Sequence, residues 1–302
     1  MSAQGGREDG AGMEVGIGIP NTVPGVSGNE LVSWAAEAEQ AGFSTLATLD
    51  RLVYDNYESL TVLAAAAAVT SRVKLMTGIL IAPLHTNAAL LAKQVATVDR
   101  LSDGRLALGL AVGSRPDDFA ASGTPHAGRG SRLDAQIDEL RRLWAGERRG
   151  FAGGVGPTPT RHGGPPMVFG GHSPAAIRRA ANSGSGWISG SGGLGMFRKG
   201  SGAVRAEWAR AGRDGRPRTY ALVYFSLGDR ADELANAYLR DYYGFAPPYA
   251  QAVVNAAAIG ADAVRQTVRD FAAAGCDELI MAPCSADPDQ IKLLSEAVAD
   301  AR

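Results

Sequence analysis

The order of apolar runs constrains this chain more than any single motif. Eight short strand-like runs alternate with longer runs of helical spacing along almost the whole sequence. They fall at 14–19, 43–49, 73–82, 105–112, 167–170, 186–189, 219–227 and 278–282. Between them apolar residues recur at helical spacing, as in Leu31, Trp34, Ala35 and Ala38. The third run, VKLMTGILIA, is apolar almost throughout, the pattern of a strand covered on both faces. Eight such units in 302 residues predict a (β/α)8 TIM barrel, an α/β fold of roughly 250 residues plus insertions. An open doubly wound sheet is the alternative with the same alternation. Both place ligands beyond the C-terminal ends of the strands.

Residues 1–12 are polar and glycine-rich and read as a disordered leader. Residues 13–302 read as one domain. The alternation breaks only at about 146–166, a stretch of Gly, Pro and Arg without periodicity. It reads as an insertion in a loop at the strand C-terminal face. Together with the segment near 242–248 it is a candidate lid. A hydrophobic fraction of 45% supports a sizeable core. The formal net charge of -1 offers no basic excess for nucleic acid or an anionic membrane, so a small molecule is the expected partner. No apolar run reaches the roughly 18 residues that span a bilayer. Two cysteines, Cys276 and Cys284, have no metal-binding spacing, and a reducing cytoplasm is the expected compartment.

Candidate chemistry is sought at the strand ends. Asp50 and Arg51 follow strand two, where an acid beside a base can bind a polar ring edge or move a proton; a salt-bridged loop explains them equally well. Gly78, inside strand three, marks a bulge or a close approach to a ligand, with packing as the plain alternative. His85 lies just beyond and is a candidate general acid or base, although a lone loop histidine is more often merely solvated. Strand four ends at Val112-Gly113-Ser114-Arg115, and its loop carries Asp117, Asp118, His126, Arg129 and Arg132. Arginines there can clamp a phosphate or carboxylate, or be ordinary helix residues.

Strand five ends in Gly170-Gly171-His172-Ser173-Pro174. Ser173 is a good helix cap, Pro174 suits the first helical position, and the free N–H groups that follow form an anion site. A well-capped turn accounts for Ser-Pro but not for the paired glycines. Strand six ends in Ser189-Gly190-Ser191-Gly192-Gly193-Leu194-Gly195, formally a G-x-G-x-x-G. A dinucleotide fold requires that motif after the first strand, with an acid about 20 residues later. Neither condition holds, which leaves a phosphate cradle or a flexible glycine loop. Cys284 reads as a packed thiol. There is no H-E-x-x-H, no G-x-S-x-G, no Walker loop, no metal spacing, and no lysine placed for a Schiff base. Phosphate loops with few reactive side chains suit a cofactor that carries the chemistry itself.

Four segments in order, at 90–113, 129–144, 170–181 and 259–281, make the chain resemble the bacterial-luciferase-like oxidoreductases over nearly its whole length. The resemblance implies a TIM barrel that binds reduced FMN or the related deazaflavin, coenzyme F420. It implies a cofactor site of Gly78, Ile79, Val112, Gly113 and Arg129, with the phosphate held by Gly170, Gly171, His172, Ser173, Ser189, Gly190, Ser191 and Gly192. It also implies a cis peptide at the Gly78–Ile79 bulge, and places Asp50 near the ring edge. With Asp50, His85 and His126 are the candidate catalytic side chains. Pro83-Leu84-His85-Thr86-Asn87, His126 and Gly184-Ser185-Gly186-Trp187 depart from the usual family pattern.

The activity so implied is a monooxygenase. It would use reduced FMN, supplied by a separate reductase, and oxygen on a small organic substrate. Hydride transfer with F420 is the close alternative, and a non-catalytic flavin-binding relative is a third. Self-association into a homodimer is left open.

Overall fold

Eight parallel strands close on themselves in the computed structural model, which describes residues 12–301. They are β1 (Glu14–Gly18), β2 (Thr45–Thr48), β3 (Lys74–Thr77), β4 (Leu106–Ala111), β5 (Met167–Gly170), β6 (Gly186–Ser189), β7 (Arg218–Ser226) and β8 (Glu278–Pro283). Each pairs with its neighbours in order. The ring shuts where β1 meets β8, with Glu14 opposite Glu278. Closure decides between the two predicted architectures: this is a (β/α)8 barrel, not an open sheet. The predicted leader, save Gly12, lies outside the described residues.

Helices connect the strands. In chain order they are α1 (Gly28–Gln40), α2 (Ser59–Val69), α3 (Ala88–Leu101), α4 (Pro116–Ala121), α5 (Arg129–Trp144), α6 (Pro174–Ser183), α7 (Gly193–Arg210), α8 (Ala231–Tyr242), α9 (Pro247–Ala256), α10 (Ala261–Ala273) and α11 (Asp289–Ala299). Local signals explain their starts. Ser27 and Glu30 exchange hydrogen bonds as a capping box before α1, whose buried stripe is the predicted Leu31, Trp34, Ala35 and Ala38. Alternate strand residues serve two cores. Leu75, Trp187, Val223 and Met281 join the cluster under the helices; Met76, Ile188, Leu222 and Ile280 join the one that fills the barrel.

The barrel's base is closed by charge. Glu278 is fully buried and accepts hydrogen bonds from Ser44 (2.7 Å), Thr45 and Arg218 (2.5 Å). Lys74 stands 3.6 Å away, and Arg218 and Lys74 both reach Glu14 as well. Burial alone would raise the Glu14 carboxyl. The hydrogen bond from Lys74 and the charge of Arg218 outweigh it and hold the group down to about 2.

A second carboxylate ties α1 to the turn entering β3. Glu39 accepts the backbone N–H groups of Ser71 (3.0 Å), Arg72 (2.6 Å) and Val73 (2.8 Å). Those bonds override the upward pull of burial and hold it at about 2. Its folded value lies below the ordinary 4.5, so its contribution is present above pH 4.5 and is lost as pH falls towards 2. Urea unfolding of Glu39→Gln and the parent chain should therefore differ at neutral pH and converge as pH falls to about 2. A constant difference across that range would show that charge is not what Glu39 contributes.

Strand three departs from its prediction as one continuous run. β3 ends at Thr77; a two-residue strand, Leu80–Ile81, resumes pairing with β4; and a 3-10 turn, Ala82–Leu84, follows. The gap is bridged by a side chain. Thr77 Oγ1 donates to the Gly109 carbonyl (2.7 Å) and accepts the Gly109 N–H (2.8 Å). A Cβ at Gly109 would stand 2.0 Å from the Thr77 carbonyl oxygen, so the approach requires glycine there. The bulge expected at Gly78 is present, but the implied cis peptide is not. Among the described residues the one cis bond is Gly156–Pro157. Thr77 supplies bonds to Gly109 across the gap in the ladder.

The insertion at 146–166 also needs correction. It contains a small hairpin, Arg148–Gly150 with Gly153–Gly154, that apolar spacing did not reveal. It follows a helix and precedes a strand, which puts it at the barrel's base. Thr160 donates to Asp99 at the end of α3 (2.7 Å) and packs on Gly104, just before β4. It cannot cover the opposite face and is no lid. The excursions at the C-terminal face are 112–128, with α4, and 227–260, with α8 and α9. The latter returns through a short strand, Ala258–Ile259, parallel to the end of β7. Among the described residues no helix is long and apolar enough to cross a membrane.

Candidate active site

A cavity of about 230 Å³ opens at the C-terminal ends of the strands. Asp50, Gly78, Ile79, Gly113, Gly170, Gly171, Ser189, Gly190 and Ser191 line it, so residues from five strand ends meet where the barrel logic places function.

One wall is glycine and backbone. At Gly170 a Cβ would meet Ile79 Cδ1 at 2.7 Å, so β5 and the bulge are in direct contact. Gly171 has φ +111, a conformation that side chains disfavour, and a Cβ there would meet Ala176 Cβ at 2.9 Å. Trp187 is fully buried and fixes this turn by donating its indole N–H to the Gly171 carbonyl (2.9 Å). Gly200 of α7 makes room for that indole: a Cβ would lie 2.3 Å from it. Ser173 caps α6 by accepting the Ala176 N–H (3.2 Å). A Cβ at Gly190 would have nothing within 4 Å, so this position faces open space.

The opposite wall carries the carboxylate. Asp50 Oδ2 accepts the Ile81 N–H (2.8 Å), with His85 Nε2 3.9 Å from the same oxygen. The His85 segment is held from behind, where Gln136 donates to the carbonyls of His85 (2.7 Å) and Ala82 (3.1 Å).

The third wall is aromatic, built by Tyr242, Tyr243, Phe245 and Tyr249 at the α8–α9 junction, with Leu222 and Phe119. Arg51 is held between Tyr54 and Tyr242, its guanidinium carbon 4.1 and 4.9 Å from the ring centres. It donates to the carbonyls of Tyr242 (2.7 Å) and Val53 (2.8 Å). Arg115 lies 4.0 Å over Phe245. Tyr243 OH stands 3.0 Å from Tyr224 OH and 3.4 Å from Ser191 Oγ. Burial pushes the Tyr243 phenol up to about 12, so it is a neutral hydroxyl at physiological pH.

Other candidates stand behind these walls. His126 is edge-on to Phe119 at 5.0 Å, and Arg129 donates to the Gly113 carbonyl (2.9 Å) and the His126 carbonyl (3.2 Å). They support the turn after β4. His172 packs edge-on to Trp187 at 5.3 Å; Val112 and Ser173 do not border the cavity, and Gly192 lies against Met196. Sequence reasoning did not single out Phe245, Tyr249, or the Trp187 bond to Gly171. The crowding of four aromatics between 242 and 249, in a chain with 7% aromatic residues, was a readable signal.

No group of three or more metal-ligating side chains occurs among the described residues. Cys276 and Cys284 are buried free thiols, and burial raises both above their ordinary value.

This arrangement can seat a phosphate against glycine and a flat ring between a bulge and an aromatic wall. The chain belongs to the luciferase-like monooxygenase family, whose model matches residues 13–294. It is 31% identical over 205 residues to an F420-dependent glucose-6-phosphate dehydrogenase of Nocardia farcinica. That match spans 61% of this chain and 60% of the relative, under two thirds of its length. The fold is similar to that of monooxygenase RslO1 from Streptomyces bottropensis (TM-score 0.75, 23% identity, 95% of this chain and 99% of that one). It is also similar to an F420-dependent secondary alcohol dehydrogenase solved with an F420-acetone adduct (TM-score 0.79, 16% identity, 97% and 100%). At these identities the structural likeness speaks for the barrel alone.

Proposed function

We propose that this chain is a monooxygenase that binds reduced FMN in the cavity and acts on a small organic substrate. The observation that carries the reading is the convergence, in one cavity, of a glycine wall, the Asp50 and Asp118 carboxylates and an aromatic wall. The residues suit the cofactor. Gly190 leaves open space for a phosphate beside the Gly171 turn, and the Gly78–Ile79 bulge offers a flat apolar surface for the ring. When bound, reduced FMN supplies the two electrons with which one oxygen atom enters the substrate and the other leaves as water.

This chain's own side chains position and exclude. The aromatic wall shields the cavity from water. Asp50, fixed by the Ile81 N–H, and His85 beside it hold a proton at the ring edge. Tyr243, as a neutral hydroxyl, orients a polar atom between Ser191 and Tyr224. Gly113 backs the ring, and Val112, Arg129, His126, His172, Ser173 and Gly192 hold the two turns in shape. A separate reductase in the cytoplasm supplies the reduced cofactor.

Hydride transfer with F420 is the second reading, supported by the F420-dependent relative of Nocardia farcinica. Anaerobic titration with reduced FMN and with reduced F420, followed by absorbance, separates the two. Tight binding of reduced FMN and oxygen uptake on adding air are expected. Binding of F420 alone would replace the first reading by the second. Binding of FMN with no substrate found to change turnover would favour a non-catalytic flavin carrier.

A further inference from the structure

Two guanidinium groups, one buried and one largely buried, border the aromatic side of the cavity, and neither is fully used. Arg51 is 9% exposed, and its Nε has no hydrogen-bond partner. The Arg115 side chain is 11% exposed. Its Nη2 pairs with Asp117 (2.6 Å), and its Nε lies 3.5 Å from Asp118 without forming a hydrogen bond. Arg115 Nη1 is buried and meets no acceptor. A buried donor left without an acceptor costs free energy, so such groups in a cavity wall point to a missing partner.

The neighbouring carboxylates do not fill that role. Asp118 gives Oδ1 to the N–H groups of Leu52 (3.2 Å) and Val53 (2.7 Å) and turns Oδ2 towards Arg115 Nε, Asp50 accepts the N–H of Ile81, and neither reaches Arg115 Nη1. Arg51 is held below its ordinary value by burial and then by the charge of Arg115. Phe245, stacked on Arg115, is 40% exposed and presents a flat apolar face at the mouth; Tyr249 is 37% exposed beside it.

We propose that Arg115, backed by Arg51, binds the carboxylate of an aromatic acid whose ring lies on Phe245 and Tyr249. The inference rests on reading this mouth as the place where substrate meets cofactor. It names the substrate class as aromatic carboxylates. Arg115 is then a specificity-determining residue: a guanidinium fork matches a carboxylate in both geometry and charge.

The test uses 2-naphthoate and its neutral isostere 2-naphthamide, titrated calorimetrically into the full chain with FMN present. Naphthoate should bind about ten-fold or more tightly than the amide, as for a charge-assisted hydrogen bond. Arg115→Met should remove that preference, and Arg115→Lys should restore part of it. FMN affinity should be unchanged in both variants. Equal binding of acid and amide by the parent chain overturns the proposal, and that comparison stands even if a variant fails to fold. A parallel loss of FMN affinity in Arg115→Met would assign the anion to the cofactor and also overturn it. Displacement of naphthoate by FMN would place the acid in the cofactor's seat and overturn it too. Failure of FMN to bind the parent chain is a separate result and removes the cofactor reading instead.

Discussion

Gly190→Leu should fold like the parent chain and lose at least about a hundred-fold in affinity for FMN, the loss expected when two charge-assisted hydrogen bonds of about 1.5–3 kcal/mol each are blocked. Gly190 lies outside the left-handed region, and a Cβ there meets nothing within 4 Å. The added side chain therefore enters the space assigned to the phosphate without straining its own backbone. Gly171→Val is a less clean test. Its φ of +111 and the 2.9 Å approach to Ala176 make it lose stability as well as ligand. Thermal unfolding and FMN titration of both variants separate the two effects. Unchanged FMN affinity in Gly190→Leu would remove the phosphate from this wall.

Glu278→Ala should cost about 3–5 kcal/mol of stability while leaving cofactor affinity intact, because removing one partner strands a buried charge. Arg218, three-quarters buried, would lose its hydrogen bond to Glu278 and keep only Glu14. Ser44 and Thr45 would lose the acceptor of their hydroxyls. Glu278→Gln keeps the volume and an acceptor oxygen and should cost less. Urea unfolding measures both. A loss under about 1 kcal/mol for the alanine variant would mean that the base is far better solvated than its burial indicates. The site lies at the other end of the barrel, so a change in FMN binding would contradict the separation of stability from function along the strands.

The alternation of apolar runs was legible because each strand must bury both faces and each helix one stripe. The positions of Asp50, Gly78, Gly170, Gly171 and the Ser189–Ser191 turn followed from that order. The paired glycines Gly170 and Gly171 stood out by their place at the end of strand five, whereas the left-handed conformation of Gly171 did not. What the sequence hid depends on contacts between distant elements. Nothing near Thr77 announces that its hydroxyl bonds both the N–H and the carbonyl of Gly109. The 146–166 insertion looked like a lid because glycine and proline report flexibility and not location. Chain order settled its place: a segment after a helix lands at the base. By residue type His126 was a catalytic candidate and Arg129 a cofactor ligand; in the fold Arg129 bonds the carbonyls of Gly113 and His126 in the turn after β4. Trp187 fits a predicted strand, yet its indole reaches across to Gly171, a pairing no local pattern encodes.

The α8–α9 excursion leaves β7 at Ser226 and rejoins the sheet at Ala258–Ile259, alongside the same end of β7. Its entry and exit are therefore neighbours, and the barrel closes without it. Such a segment behaves as an interchangeable cassette: its length and sequence can diverge while the strands beneath keep their register. Tyr242, Tyr243, Phe245 and Tyr249 all belong to it. Among the described residues, its polar tethers to the loop after β2 run through Arg51 and the Tyr54–Asp241 pair. Grafting the 227–260 segment between relatives, with those tethers kept, is a route to new substrate range on an unchanged cofactor wall.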